Sequence, residues 1–319
     1  MIRSPLLRLF CTIVSALLVG CYNQSRHSMG SVYDRSPAQY RIGGEKQPVR
    51  IVVSAAFTSE AGTSVYKKLA EYLEMKTGYP CELISGFSYK TLNAMLEAGV
   101  VDIGFICGYP YVLMHDRPHP PVRLMAAPVP AAPRYRGQPI YFSDIIVRAD
   151  SSYWCINQLK GCTWAYSEEL SNSGYNLPRA FLIRKGLHRG FLARVVRTGS
   201  HEESIRAVAT GEADAAAVDS LVLDYERARG SPYAQRVRIL YSLGPSGIVP
   251  VVASARMPEH RFKAIQAVLL HMASDAEGAA ILREAGLKTF VYVKDSHYND
   301  IRAAHRLAMQ KGYQYLQNP

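Results

Sequence analysis

The chain has 319 residues, 48% of them hydrophobic, and a formal net charge of +11 from 37 basic and 26 acidic side chains. The basic residues are scattered, with no Lys/Arg block and no alternation of aromatic and basic positions, which excludes a nucleic-acid surface; anionic small molecules or anionic surfaces suit the charge better. No spacing among the cysteines and histidines resembles a zinc site, and neither a metal nor a cofactor is expected.

The chain opens on a positive segment with Arg3 and Arg8, then an apolar run over 9–19, then Leu18-Val19-Gly20-Cys21. This order reads as a secretory signal with a lipobox over 1–20: after cleavage Cys21 is the first residue and carries acyl chains that hold the body at a membrane. The run is shorter than the roughly 20 apolar residues a spanning helix needs, and no later segment could span a bilayer. Residues 21–47 are polar, rich in Ser, Gly, Arg and Gln, and lack periodicity, as a flexible tether would be. An exported protein can oxidise the remaining Cys81, Cys107, Cys155 and Cys162, and four cysteines allow three pairings; Cys155 with Cys162 is locally feasible.

About 270 residues follow the tether, enough for two domains of ordinary size. The pattern predicts a strand at 49–55, a helix at 64–76, a strand at 81–85, a short helix at 91–98 closed by Gly99, and a strand at 101–106, a βαβαβ unit. The Pro-rich stretch 118–139 reads as surface loop and edge strand. A second unit follows with the same order: strands at 140–147 and 162–166, a helix after Ser173, a strand at 193–197, a helix at 202–210 and a strand at 213–218. Ser88, Gly99 and Asp102 have the same spacing as Ser200, Gly211 and Asp214, which predicts two similar lobes. A strand at 237–241, the turn-rich Gly244-Pro245-Ser246-Gly247 and a strand at 249–253 suit a return crossing, before helices at 259–273, 275–285 and 298–310. The expected organisation is lobe 1 over 48–139, lobe 2 over 140–244, and a return to lobe 1 over 245–319 with the C-terminal helices. Ligands of duplicated α/β lobes bind between them, at the carboxyl ends of strands and the amino ends of helices.

Ser171-Asn172-Ser173-Gly174, leading into Tyr175 and Pro178, places two hydroxyls, an amide and the unpaired N–H groups of a helix start together. Such a tip seats a tetrahedral oxyanion without a formal cation, which favours capture and release over chemistry. An ordinary N-cap serine is the simpler reading of the same residues.

With the lipobox, two α/β lobes, the stretch from Tyr141 to Val147, the serine motif and Thr198-Gly199-Ser200-His201-Glu202 in this order, the chain resembles the phosphonate, phosphite and phosphate-type solute-binding proteins of ABC transporters. The resemblance runs from about residue 50 to residue 295. It implies a type II periplasmic-binding-protein fold, α/β, each lobe a mixed, mainly parallel sheet flanked by helices with the ligand cleft between. It further implies a non-enzymatic receptor, exported and facing the periplasm or cell exterior, that hands a small phosphorus oxyanion to permease and ATPase subunits. Carried over by position, Ser171, Asn172 and Ser173 match the oxyanion cradle, with asparagine in place of a threonine. Tyr141 matches a tyrosine at the first crossing, and His201 a histidine at a lobe-two helix start whose charge could couple affinity to pH. Tyr89 and Tyr109 could roof the anion from lobe one, and Phe57 with Thr58 wall it. Asp219 could cap the following helix or accept a proton from a protonated ligand oxygen. Members that take aminoalkylphosphonates are expected to hold the ammonium with two carboxylates, and Leu221 and Val249 fall there, which disfavours such a ligand.

Two rivals remain at this level. One is a secreted hydrolase with Ser171 as nucleophile and His201 as base, although no Gly-x-Ser-x-Gly, His-Glu-x-x-His or P-loop is present. The other is a sensory binding lipoprotein for another small anion.

Overall fold

The computed structural model describes residues 47–53 and 60–316, apart from the side chains of 60–63. The signal segment, Cys21, the tether up to residue 46, and Phe57 with Thr58 lie outside the described residues. β1 (Val49–Val53) leads through α1 (Glu60–Thr77), β2 (Cys81–Ile84), α2 (Tyr89–Glu97), β3 (Ile103–Phe105) and α3 (Gly108–His115) to β4 (Val122–Pro130). Next come β5 (Ile140–Arg148), β6 (Thr163–Tyr166), a π turn (Asn172–Asn176) running into α4 (Leu177–Arg184), β7 (Arg194–Arg197), α5 (His201–Thr210), β8 (Ala215–Asp219), α6 (Ser220–Ala228) and β9 (Val237–Gly247). The chain ends on β10 (Val251–Ser254), α7 (Glu259–His271), α8 (Ala276–Glu284), β11 (Leu287–Val291) and α9 (Asn299–Gln310). Among the described residues, no helix is long and apolar enough to cross a membrane.

These strands form two sheets, ordered β11-β4-β10-β3-β1-β2 and β7-β6-β8-β5-β9. β1 runs parallel to β2 and β3, as β6 does to β7 and β8, and an antiparallel strand follows in each sheet, β10 beside β3 and β5 beside β8. Counted from β2 and from β7, the first five strands of the two sheets share one order and one set of directions. The chain passes from the first sheet to the second between β4 and β5, and back between β9 and β10. Strand β8, Ala215-Ala216-Ala217-Val218-Asp219, is buried along its whole length, and its three alanines let elements pack closely on both faces.

The matched spacing seen in the sequence has a matched hydrogen-bond pattern. Ser88 caps α2 by accepting the Thr91 N–H at 3.2 Å, and Ser200 caps α5 by accepting the Glu203 N–H at 3.1 Å. Gly99 and Gly211 take positive φ, 66° and 82°, which lets the chain leave each helix without a Cβ clash. The next acid ties the following turn to the neighbouring parallel strand. Asp102 Oδ2 accepts the Arg50 N–H at 2.8 Å while the Asp102 N–H donates to Arg50 O at 2.9 Å; Asp214 and Thr163 repeat both bonds at 2.8 and 2.9 Å.

Several elements differ from the sequence reading, among them β9, which runs on through the residues 244–247 read as a turn. β4 is not an edge strand: it lies between β10 and β11, with Pro128 and Pro130 buried opposite Phe290 and Leu287. An irregular register between β4 and β11 accommodates the missing proline N–H groups, and β11, which carries no strong strand signal, becomes the edge. α3 follows β3 directly, where no helix was expected. α9 does not simply return to lobe one: Ile301 packs with Tyr111 and Tyr298, whereas Ala304 packs with the Trp164 and Phe181 cluster of the second sheet. The cause is an amphipathic helix wide enough to cover both bodies at once.

Asp102→Ala and Asp214→Ala each remove the acceptor for a strand N–H and should each cost about 1–3 kcal/mol in urea unfolding. Because the two sites lie in separate sheets, the double variant should lose close to the sum. Unchanged midpoints would show that these bonds do not hold the strands.

Candidate functional site

After β6 the chain turns through Ser167 and reaches Ser171, which is extended (φ −79°, ψ 131°) and N-caps the π turn by accepting the Gly174 N–H on Oγ at 2.9 Å. The turn is wide because the Asn176 N–H reaches back five residues to Ser171 O at 3.0 Å; such π turns often mark functional sites. Ser143 Oγ on β5 donates to Ser173 O at 2.6 Å and pins the turn to the sheet. A Cβ on Gly174 would lie 2.5 Å from Ser167 Oγ, 3.1 Å from Ser171 Oγ and 3.3 Å from His201 Cε1, so the position has room for glycine alone. The simpler reading of Ser171 as an N-cap thus holds, and the cap residue also meets a histidine.

His201, the first residue of α5, is 1% exposed. Its Nδ1 accepts the Asp219 backbone N–H at 3.2 Å, which puts the ring proton on Nε2. Nε2 lies 3.3 Å from Ser171 Oγ and 3.5 Å from Ser173 Oγ. Burial pushes the imidazole pKa down to about 3, so the ring is a neutral donor at physiological pH. The expected coupling of affinity to pH through a His201 charge is therefore corrected: desolvation suppresses that charge. Ser171 Oγ, with its lone pairs facing Gly174 N–H and His201 Nε2–H, has its own proton to give. A hydrolytic triad needs the reverse tautomer, with Nδ1 donating to an acid and Nε2 free to take a proton, so His201 is unsuited as the base for Ser171.

Asn172 takes a different role from the one its place in the motif suggested. Its Nδ2 donates to Tyr141 Oη at 2.9 Å and to Ser246 Oγ at 3.1 Å, and its Oδ1 accepts from Asn176 Nδ2 at 3.0 Å. Both amide protons are spent on the two crossing strands, β5 and β9, so the side chain has no donor left for an anion. Its backbone N–H donates to Cys107 Sγ, just past β3 of the first sheet, at 3.1 Å. Tyr141, fully buried at the start of β5, accepts the Asn172 amide beside Ser173 and retains its phenolic proton.

Tyr89 opens α2 and packs in one cluster with Tyr141 and Cys107. The Tyr109 hydroxyl is committed to His305 Nδ1 at 2.8 Å and Arg179 Nη2 at 3.2 Å, so it is turned toward α9 and α4 and does not roof the serines. Asp219 does cap α6, its Oδ1 accepting the Leu221 N–H at 2.8 Å. The sequence reading missed Ser167, a buried hydroxyl against Gly174 without a hydrogen-bond partner, whose only signal is its place just past a strand. It also missed the parts of Cys107 and Ser246, which meet the motif only in three dimensions. The four described cysteines are unpaired thiols, and burial pushes the Cys107 thiol up to about 11. Among the described residues, no cluster of side chains could hold a metal ion.

Asp219 lies at the carboxyl end of β8. Burial pushes its pKa up to about 7; the Leu221 and Val222 N–H groups oppose that shift, and the charges of Asp144 and Asp224 add to it. The folded chain therefore holds a proton there that an unfolded aspartate gives up near pH 3.8, and stability falls as pH rises from about 4 to about 7. Asp219→Asn keeps the helix cap and removes the titration. Its stability relative to the parent should rise across that window, by on the order of 4 kcal/mol at pH 8, in thermal melts of the ligand-free protein. A difference independent of pH would place the Asp219 pKa near its ordinary value.

Residues 51–298 match the family described as the phosphonate ABC transporter, periplasmic substrate-binding protein. A binding-protein component of an ABC phosphonate transporter from Pseudomonas aeruginosa superposes with a TM-score of 0.75 at 18% identity, covering 83% of this chain and 88% of that one. PhnD1 from Prochlorococcus marinus, solved with methylphosphonate, superposes with a TM-score of 0.73 at 16% identity, covering 85% of this chain and 100% of that one. The aliphatic sulphonate binding protein SsuA from Escherichia coli gives 0.55 at 16% identity, over 87% and 93% of the two chains. Two mixed sheets flanked by helices, with the chain crossing between them twice, are the fold of type II periplasmic binding proteins. The chain belongs to the phosphonate ABC transporter substrate-binding protein family, whose members bind their substrates without transforming them.

Proposed function

We propose that this protein is the lipid-anchored capture component of an ABC importer and that it holds a small phosphorus oxyanion between its two lobes. The observation that carries the reading is the neutral His201 Nε2–H, fixed by the Asp219 amide and aimed at the Ser171 and Ser173 hydroxyls at a helical start. Ser171, Ser173, His201 and the Tyr141 phenol form a set of neutral donors on a positive helix end, suited to gripping and releasing an anion. Ser167 extends the set from the β6 side. Asn172 acts indirectly, by locking the two crossing strands around the cradle.

A phosphonate is favoured over phosphate or phosphite because the wall beyond Asp219 is apolar at Leu221 and Val249, and because the Prochlorococcus relative was solved with methylphosphonate. Closure of the lobes on the ligand, by a hinge at the crossings, would present the loaded form to the permease. The Leu18-Val19-Gly20-Cys21 motif supports the anchor.

Ser171→Ala together with Ser173→Ala should weaken methylphosphonate binding by about 3 kcal/mol or more, given roughly 1.5–3 kcal/mol per hydrogen bond to a charged group. Unaltered affinity in titration calorimetry would remove the cradle from the site. Cys21→Ser should leave that affinity as it is and move the protein from the detergent phase to the aqueous phase on partitioning. Retention in the detergent phase would contradict the anchor.

A further inference from the structure

A cavity of about 440 Å³ lies between the first-sheet body and α6, walled by Tyr66, Phe105, Pro128, Leu221, Val249 and Phe290. Its lining comes nearest the cradle at Leu221, two residues beyond Asp219. The N–H of Leu221, a wall residue, holds the Asp219 carboxyl at 2.8 Å, and the Tyr66 phenol, another wall residue, has its pKa raised by burial and then by the charge of Asp219. Phe105 stands two residues before Cys107, whose sulfur takes the Asn172 N–H of the motif. Leu221 and Phe105 thus place the chamber beside the elements that carry the cradle. The acids that reach the wall are engaged elsewhere: Asp224 with Arg134 and the Tyr135 hydroxyl, Glu284 with Lys68 at 2.7 Å. Among the described residues neither is left to neutralise a cation on a ligand, Arg229 and Arg283 also line the wall, and a cationic substituent buried here would be costly.

We infer that the ligand is a phosphonate whose carbon substituent is apolar, without a cationic group and several carbons long, with its oxygens at Ser171, Ser173 and His201 and its substituent in this chamber. The inference rests on the oxyanion reading above and adds the class of substituent. A volume of about 440 Å³ is within the roughly 300–1,000 Å³ of small-molecule pockets. Inorganic phosphate, phosphite or methylphosphonate would leave most of it unfilled.

Titration calorimetry of the protein with methyl-, propyl- and hexylphosphonate, and with 2-aminoethylphosphonate, tests the assignment. Affinity should tighten by roughly fourfold per added methylene, since burying each contributes about 0.8 kcal/mol, and 2-aminoethylphosphonate should bind more weakly than propylphosphonate. Methylphosphonate binding as tightly as hexylphosphonate would overturn the chamber's role and leave the oxyanion reading standing. Binding of none of the four would overturn both. Leu221→Trp, which fills the chamber, should cost hexylphosphonate at least about tenfold more affinity than methylphosphonate. The ratio is read only on variant protein that melts cooperatively, and an equal loss for both ligands would also overturn the assignment.

Discussion

The hydrogen bond from the Asp219 backbone N–H to His201 Nδ1 sets the chemistry of the candidate site. A buried imidazole without that amide could present either nitrogen to the cleft. With it, Nε2 must carry the proton, and burial keeps the ring uncharged. Donor polarity then propagates: the histidine gives to the serine oxygens, and Ser171 keeps its own proton to donate. Because the amide belongs to the last residue of β8, the geometry is set by a sheet and not by a loop.

The two lobes share one wiring scheme in their helix-to-strand turns. Each lobe uses a serine cap, a left-handed glycine and an acid bonded to the neighbouring strand to close its helix-to-strand turn. Among the described residues, the π turn is found in the second lobe. The first lobe contributes Cys107, whose neutral thiol receives the Asn172 N–H. Around the crossings, Arg134 grips Asp144 through two bonds of 2.9 Å and also reaches Asp224, while Asn172 joins Tyr141 to Ser246. These bonds tie the crossing segments to the second lobe.

Polarity changes abruptly along the cleft. On one side of Asp219 stand hydroxyls and an imidazole; on the other stand Leu221, Val249 and the aromatic walls of the chamber. Asp219 is kept at this boundary although its burial raises its pKa toward neutrality and costs stability wherever it is ionised. Its backbone orients His201 and its side chain caps α6, so one residue serves both the cradle and the helix beside the chamber.

The order of strands and helices, the internal repeat and the serine motif were legible in the chain because each depends on local spacing: caps, glycine exits and hydrophobic period act over a few residues. The assignment of Ser171, Ser173, Tyr141 and His201 to one neighbourhood came from the resemblance. What they do there did not, since the tautomer of His201 depends on a β8 amide 18 residues away in sequence. The commitment of Asn172 to Tyr141 and Ser246, and of Tyr109 to Arg179 and His305, was equally hidden, because a side chain's partners are fixed by packing between distant elements. β4 was obscured by its prolines, which read as loop until a neighbouring strand supplied an irregular register. By itself the sequence determined two α/β lobes carrying a helix-start anion motif; the tertiary structure alone decided which donors face the cleft and what volume adjoins them, because both are properties of surfaces that only folding brings together.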